Sequence, residues 1–132
     1  MSQENVELVR RAYAAFERRD LDAVVADYSP EFEYLSAGVI PGHVGTYRGE
    51  EYKEFIVWLD EEFSDANSQI DPLIDGGDSV VACVTLSGRG RGSGIPAAFT
   101  FWQVWKCENG KIVRGEGFTD RAEALEAAGL RE

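Results

Sequence analysis

The chain has 132 residues and a formal net charge of −11, from 24 acidic and 13 basic side chains. That balance argues against nucleic acid, whose binding rests on Lys and Arg neutralising phosphates, and against an anionic membrane surface. Length and an ordinary hydrophobic fraction fit one globular domain over residues 1–132, long enough to bury a core without staples.

A first helix is predicted from Ser2 to about Arg19, because Val6, Val9, Tyr13 and Phe16 recur at helical spacing. The N-terminus is charged from Glu4 and carries no apolar leader, and no run of 18 apolar residues follows, so the expected compartment is the cytoplasm. Asp20 reads as the cap of a short second helix with Leu21, Val24, Val25 and Tyr28 on its apolar side, stopped at Ser29-Pro30. Glu31 to Leu35 alternates and reads as a strand. Ser36 to Thr46, with three Gly and a Pro, reads as a long loop of the kind that often carries function. A third helix is expected from about Gly49 to Phe63, with Tyr52, Phe55, Ile56, Leu59 and Phe63 on one face.

Four strands are predicted beyond it. The first covers Asn67 to Ile74, with Pro72 marking an edge or a bulge. Asp75-Gly76-Gly77-Asp78 turns into Ser79 to Arg91. The aromatic run Phe99 to Trp105 then forms a hairpin with Lys111 to Thr119 across Glu108-Asn109-Gly110. A last helix runs from Asp120 to Leu130, capped by Asp120 and stopped at Gly129. The expected fold is α+β: a strongly curved, mainly antiparallel, cone-like sheet wrapped around three helices, plus a short C-terminal helix.

Several segments resemble the nuclear-transport-factor-2-like superfamily, and within it the SnoaL-like proteins. ENVELVRRAYAAFERRDLDAVVADYSPEFEY is similar to the family's two opening helices and first strand, and TYRGEEYKEFI to its third helix start. VWKCENGKI is similar to its penultimate hairpin and DRAEALEAAGL to a bacterial C-terminal tail. The resemblance implies a pocket between helices and sheet, and homodimerisation through the outer sheet face. It covers members of many activities and so implies no single chemistry. The catalytic positions of its ketosteroid-isomerase-like members fall at Ala12, Leu35 and Phe99, none of which carries the required group. The carboxylate of SnoaL-like cyclases falls at Gly117, with Glu116 on the opposite face unless a bulge intervenes.

Two residues are candidate acid–base groups. Glu33 either faces the pocket with Leu35, where burial among aromatics would raise its pKa, or lies on an exposed strand while Phe32 and Tyr34 are buried. His43, the lone histidine, is either a base over the pocket mouth or a solvated loop residue. From the helices, Tyr13, Phe16 and Trp58 are expected to contact ligand. From the sheet, Leu35, Phe99, Phe101, Gln103 and Trp105 are, with Gln103 the one polar group on its face of the aromatic strand. The opposite face carries Trp102 and Val104 and is expected to be covered by a partner subunit. Arg114 and Glu116 read as a surface or interface ion pair. Arg89-Gly90-Arg91-Gly92-Ser93-Gly94 reads as a Gly-relieved strand end rather than a nucleic-acid segment. Cys83 and Cys107 are 24 residues apart, outside any C-x-x-C, and read as small core hydrophobes. No metal and no cofactor are expected. The function read from these residues is a pocket for a small, largely apolar, ring-containing molecule, either with cofactor-free acid–base catalysis or as a non-catalytic binding or dimerisation module.

Overall fold

The computed structural model describes residues 2–37 and 44–130. In chain order these form α1 (Ser2–Glu17), α2 (Leu21–Val25), β1 (Tyr28–Ala37), β2 (Val44–Arg48), α3 (Glu51–Glu62), β3 (Phe63–Asp75), β4 (Ser79–Gly90), β5 (Pro96–Glu108), β6 (Lys111–Phe118) and α4 (Arg121–Ala127). The strands make one open, curved sheet in the order β2-β1-β6-β5-β4-β3. All neighbours are antiparallel except β1 and β6, which run parallel. The α+β cone of the sequence analysis is therefore observed.

Local chemistry accounts for most boundaries. The Asp20 side chain caps α2 by accepting from the Ala23 N–H at 3.2 Å, and Asp120 caps α4 by accepting from Ala122. The β5–β6 turn puts Asn109 and Gly110 at φ 51° and 75°, the left-handed pair that a two-residue hairpin loop requires. Pro72 lies on β3, an edge strand whose pairing with β4 shifts register between Ile70 and Leu73, so its missing N–H breaks no ladder.

Three expectations are corrected. Tyr28 opens β1 rather than closing α2, and Pro30 sits inside that strand. It is tolerated because the β1–β6 pairing is irregular between Tyr28 and Glu33. Part of the long loop expected at Ser36–Thr46 is strand: β1 continues to Ala37, and Val44–Arg48 forms a strand paired with it. Phe63 is not the last residue of α3 but the first of β3, at φ −129° and ψ 137°.

The inner face of the sheet and the helices enclose two adjoining apolar clusters. One joins α1 and α3 to β1, β5 and β6 through Val9, Phe32, Tyr34, Ile56, Trp105 and Ile112. The other lies toward the β4–β5 hairpin, around Leu59, Val84, Leu86 and Phe101. On the outer face α4 covers Val81 and Val104 with Ala124, Leu125 and Ala128. The partner subunit expected over Val104 is thus replaced at this end of the sheet by the chain's own last helix. Cys107 is buried, as read, but Cys83 is on the outer face beside Trp102 and only half-buried.

Candidate functional site

A cavity of about 40 Å³ lies between α1, α3 and the inner sheet face. Its deep end is made by Val9, Val24, Tyr28, Tyr52, Trp105 and Ile112, all buried. Half-buried Phe16, Phe55, Ser68 and Ile70 stand nearer the surface and form its mouth. The volume suits roughly three water molecules, so a ring-sized occupant requires the mouth side chains to give way.

The strand period places the polar groups. Phe101, Gln103 and Trp105 share the inner face of β5 and border the cavity. Gln103 is 5% exposed and cannot be left without partners. Its Oε1 accepts from the Tyr13 hydroxyl at 2.6 Å, and its Nε2 donates to the Tyr34 hydroxyl at 2.9 Å. The Tyr13 oxygen in turn accepts from Trp105 Nε1–H at 2.7 Å. A relay thus runs from Trp105 through Tyr13 and Gln103 to Tyr34, joining β5 to α1 and β1. Tyr13 as a whole is half-buried, but its hydroxyl is inside this relay.

The rings fix the relay's geometry. Trp105 meets Tyr13 edge-on at 6.1 Å and Tyr34 at 5.6 Å between centroids, and Tyr34 lies 5.1 Å from Tyr52. Gly115 makes this possible. A Cβ there would stand 2.5 Å from Trp105 Cζ3 and 2.7 Å from Tyr34 Cδ1, well inside contact distance.

Burial holds every phenol of the cluster in its neutral form. Desolvation pushes Tyr34 up to about 12, with the Gln103 hydrogen bond pulling partly the other way. It raises Tyr13, Tyr28 and Tyr52 well above the ordinary tyrosine value for the same reason, their mutual repulsion as phenolates adding to it. Around neutral pH these groups are hydrogen-bond donors and acceptors, not bases.

Two polar links cross the mouth. The Ser68 N–H and hydroxyl both donate to Glu17 at the end of α1, the N–H at 2.7 Å. Arg19 takes φ 56° just beyond α1 and makes a two-pronged pair with Asp60 at 2.8 and 2.9 Å. It also donates to the Ala66 carbonyl, and its guanidinium lies 4.5 Å over the Phe16 ring. These contacts tie α1, α3 and β3 together around Phe16.

Of the residues expected to contact ligand, Tyr13, Phe16, Phe101, Gln103 and Trp105 border this cavity. Phe99 and Trp58 do not; both pack against Phe63, at 6.3 Å each between ring centroids, toward the β4–β5 hairpin. Leu35 and Glu33 lie on the other face of β1, because alternation turns them away when Phe32 and Tyr34 point inward. Glu33 pairs with Arg48 of β2 at 2.8 Å and is one-third exposed. The pocket-facing reading of Glu33 and Leu35 is therefore corrected in favour of the exposed-strand one. His43 lies outside the described residues. Among the described residues no group of His, Cys, Asp and Glu is arranged to hold a metal ion.

A family model described as a SnoaL-like domain matches residues 9–115. The chain belongs to the SnoaL-like family. Its fold is close to that of an NTF2-like protein from Burkholderia thailandensis, at 34% identity, with 91% of this chain and 95% of that one covered and a TM-score of 0.77. An NTF2-like protein of unknown function from Burkholderia pseudomallei is 30% identical, with 93% and 95% covered and a TM-score of 0.77. TerC, co-crystallised with polyporic acid, is 25% identical, with 96% and 98% covered and a TM-score of 0.75. No curated protein matches the chain.

The position at which the resemblance to SnoaL-like cyclases implies a carboxylate is Gly117, which offers none. Gly117 pairs with Gln103 on the inner face. Glu116 pairs with Val104 on the outer face and lies 3.5 Å from Arg114. The one irregularity recorded between β5 and β6 is at Lys106/Cys107, too far from Glu116 to turn it inward.

Sequence reasoning missed Tyr28, Tyr34, Tyr52 and the Glu17–Ser68 link. Tyr52 was legible as part of a helical stripe and Tyr34 as the alternate of Phe32. Nothing in the spacing showed that both converge on Gln103.

Proposed function

We propose that this SnoaL-like protein encloses a small, neutral, largely apolar molecule in the α1–α3–sheet cavity, and that it does so as a binding pocket rather than through a side-chain base. The observation that carries this reading is the lining itself. Among the described residues it contains aliphatic and aromatic side chains, neutral phenols, one amide and one serine, and no ionisable carboxylate or cation. A charged ligand placed there would be desolvated without a counter-ion, which costs several kcal/mol. A neutral one gains from apolar burial and from the aromatic walls. The co-crystallisation of TerC with polyporic acid supports reading the cavity as a ligand site.

The second part of the proposal is a homodimer through the uncovered part of the outer sheet face. Gln69, Thr85 and Thr100 lie side by side across β3, β4 and β5, and Cys83, Trp102 and Phe118 across β4, β5 and β6. The first row carries no charge, in a chain that is 28% charged overall, whereas Trp102 and Phe118 of the second also pack against the α4 cluster and the Arg121 guanidinium lies 5.7 Å from the Trp102 ring centroid. A second copy is the occupant such a face fits.

A thermal-shift screen of small neutral ring compounds against matched carboxylates and amines tests the pocket. Neutral compounds are expected to raise the melting temperature, since a ligand bound only by the native state adds stability. Stabilisation confined to the charged set sinks the reading. Sedimentation of the wild type against Thr85→Lys tests the dimer, and a wild type that is monomeric at micromolar concentration overturns it.

A further inference from the structure

The cavity's polar groups are not equally occupied. Tyr13, Gln103, Trp105 and Tyr34 hydrogen-bond to one another, Ser68 is held by Glu17, and Tyr52 lies against the Gln103 amide. Tyr28 differs. It is 8% exposed and borders the cavity, yet its hydroxyl makes no hydrogen bond among the described residues. No side-chain polar atom that is sealed from solvent lacks a partner in the described structure. The Tyr28 hydroxyl therefore keeps some contact with open space, and Tyr28 is one of the residues that border the cavity.

Its ring is also held by aromatic neighbours. It stacks on Phe32 at 3.9 Å between centroids with a 21° tilt, and Tyr52 and Trp105 flank it at 6.0 and 6.4 Å. A hydroxyl on a clamped ring costs little further ordering when it binds.

We infer that Tyr28 is the polar reader of the cavity, and that the ligand is a compact apolar molecule entering with a hydroxyl or carbonyl oxygen at its leading end. This rests on the pocket reading above and adds an orientation to it: oxygen deep against Tyr28, apolar body toward Phe16 and Phe55 at the mouth. Gln103, which the sequence offers as the reader, becomes a positioning residue instead. Its oxygen is taken by Tyr13 and its nitrogen by Tyr34, so it sets the walls of the cavity and leaves the approaching oxygen to Tyr28.

The test uses phenol and toluene, which share a shape and differ at one oxygen, titrated into wild type and Tyr28→Phe by isotope-edited NMR. Removing the hydroxyl is expected to weaken phenol binding by roughly 2- to 10-fold, the range of one net hydrogen bond, and to leave toluene binding equal or slightly tighter. An unchanged phenol-to-toluene ratio overturns the inference while leaving the pocket intact. If neither probe shifts cavity resonances in the wild type, the pocket reading fails and this inference with it. A wild-type crystal soaked with phenol decides the matter even if the variant does not fold. The inference expects the phenol oxygen about 3 Å from the Tyr28 oxygen; an oxygen turned toward Ser68 at the mouth overturns it.

Discussion

The two faces of the sheet use polar residues in opposite ways. On the inner face, Tyr34, Gln103, Trp105 and the hydroxyl of half-buried Tyr13 answer one another. On the outer face Glu33 meets Arg48, and Arg114 meets Glu116, with solvent at hand. An inner partner has no substitute when its mate is removed, whereas an outer one turns to water. The same types of contact should therefore differ several-fold in what they contribute to stability, and the difference can be pressed from its largest member to its smallest.

Gly115→Ala is the harshest challenge to the inner face. The added methyl meets the Trp105 and Tyr34 rings, which are themselves held by neighbours, and overpacking of this kind costs about 3 kcal/mol. Urea unfolding should show a lower midpoint with an unchanged slope. A stability equal to wild type would mean that the Trp105 and Tyr34 rings shift freely to accept the methyl.

Alkaline titration comes next. Tyr34 ionises at about 10 when unfolded and at about 12 when folded, so the folded state holds its proton longer. Its contribution is intact below pH 10 and is lost as pH climbs from there through 12. The two-unit gap corresponds to roughly 2–3 kcal/mol. Tyr34→Phe should make stability less steep over that window, and an identical slope would show that Tyr34 is not a desolvated phenol in the native protein.

Gln103→Leu removes the centre of the relay and strands the Tyr13 and Tyr34 hydroxyls. Although the cavity becomes more apolar, a loss of about 1–2 kcal/mol is expected, measured by denaturant unfolding. Glu33→Gln should do the least. Its partner Arg48 is exposed, and pairs of that kind contribute under about 0.5 kcal/mol. A larger loss there would erase the contrast between the faces.

The same contrast explains what the sequence made legible. Period-2 alternation in FTFWQVW separates Phe101, Gln103 and Trp105 from Trp102 and Val104, and the structure keeps that separation. The hairpin turn and the α2 and α4 caps were readable because Asn, Gly and Asp act on their own neighbours. The failures were non-local. Pro30 looked like a helix stop because the irregular stretch of strand that holds it shows only in the pairing of β1 with β6. Val44–Thr46 looked like loop because Gly45 hides the alternation, and the strand character of Val44–Arg48 comes from β1. Glu33 was ambiguous until the register showed Arg48 beside it. The relay joins positions 13, 34, 103 and 105, and no local pattern links such distant points.

The parallel pairing of β1 with β6 also sets an order of assembly. β3, β4 and β5 are joined by successive hairpins, so they can zip from neighbour to neighbour with short loop closures. β1 and β2 form a separate hairpin far upstream. Only β6 touches both groups, and it is the last strand made. Until residues 111–118 are made, no strand joins the β1–β2 pair to the β3–β4–β5 group. High-separation contacts of this sort slow folding. The sheet behind the cavity is therefore incomplete before β6 is made, although a chain interrupted within the β5–β6 turn would already carry every lining residue but Ile112.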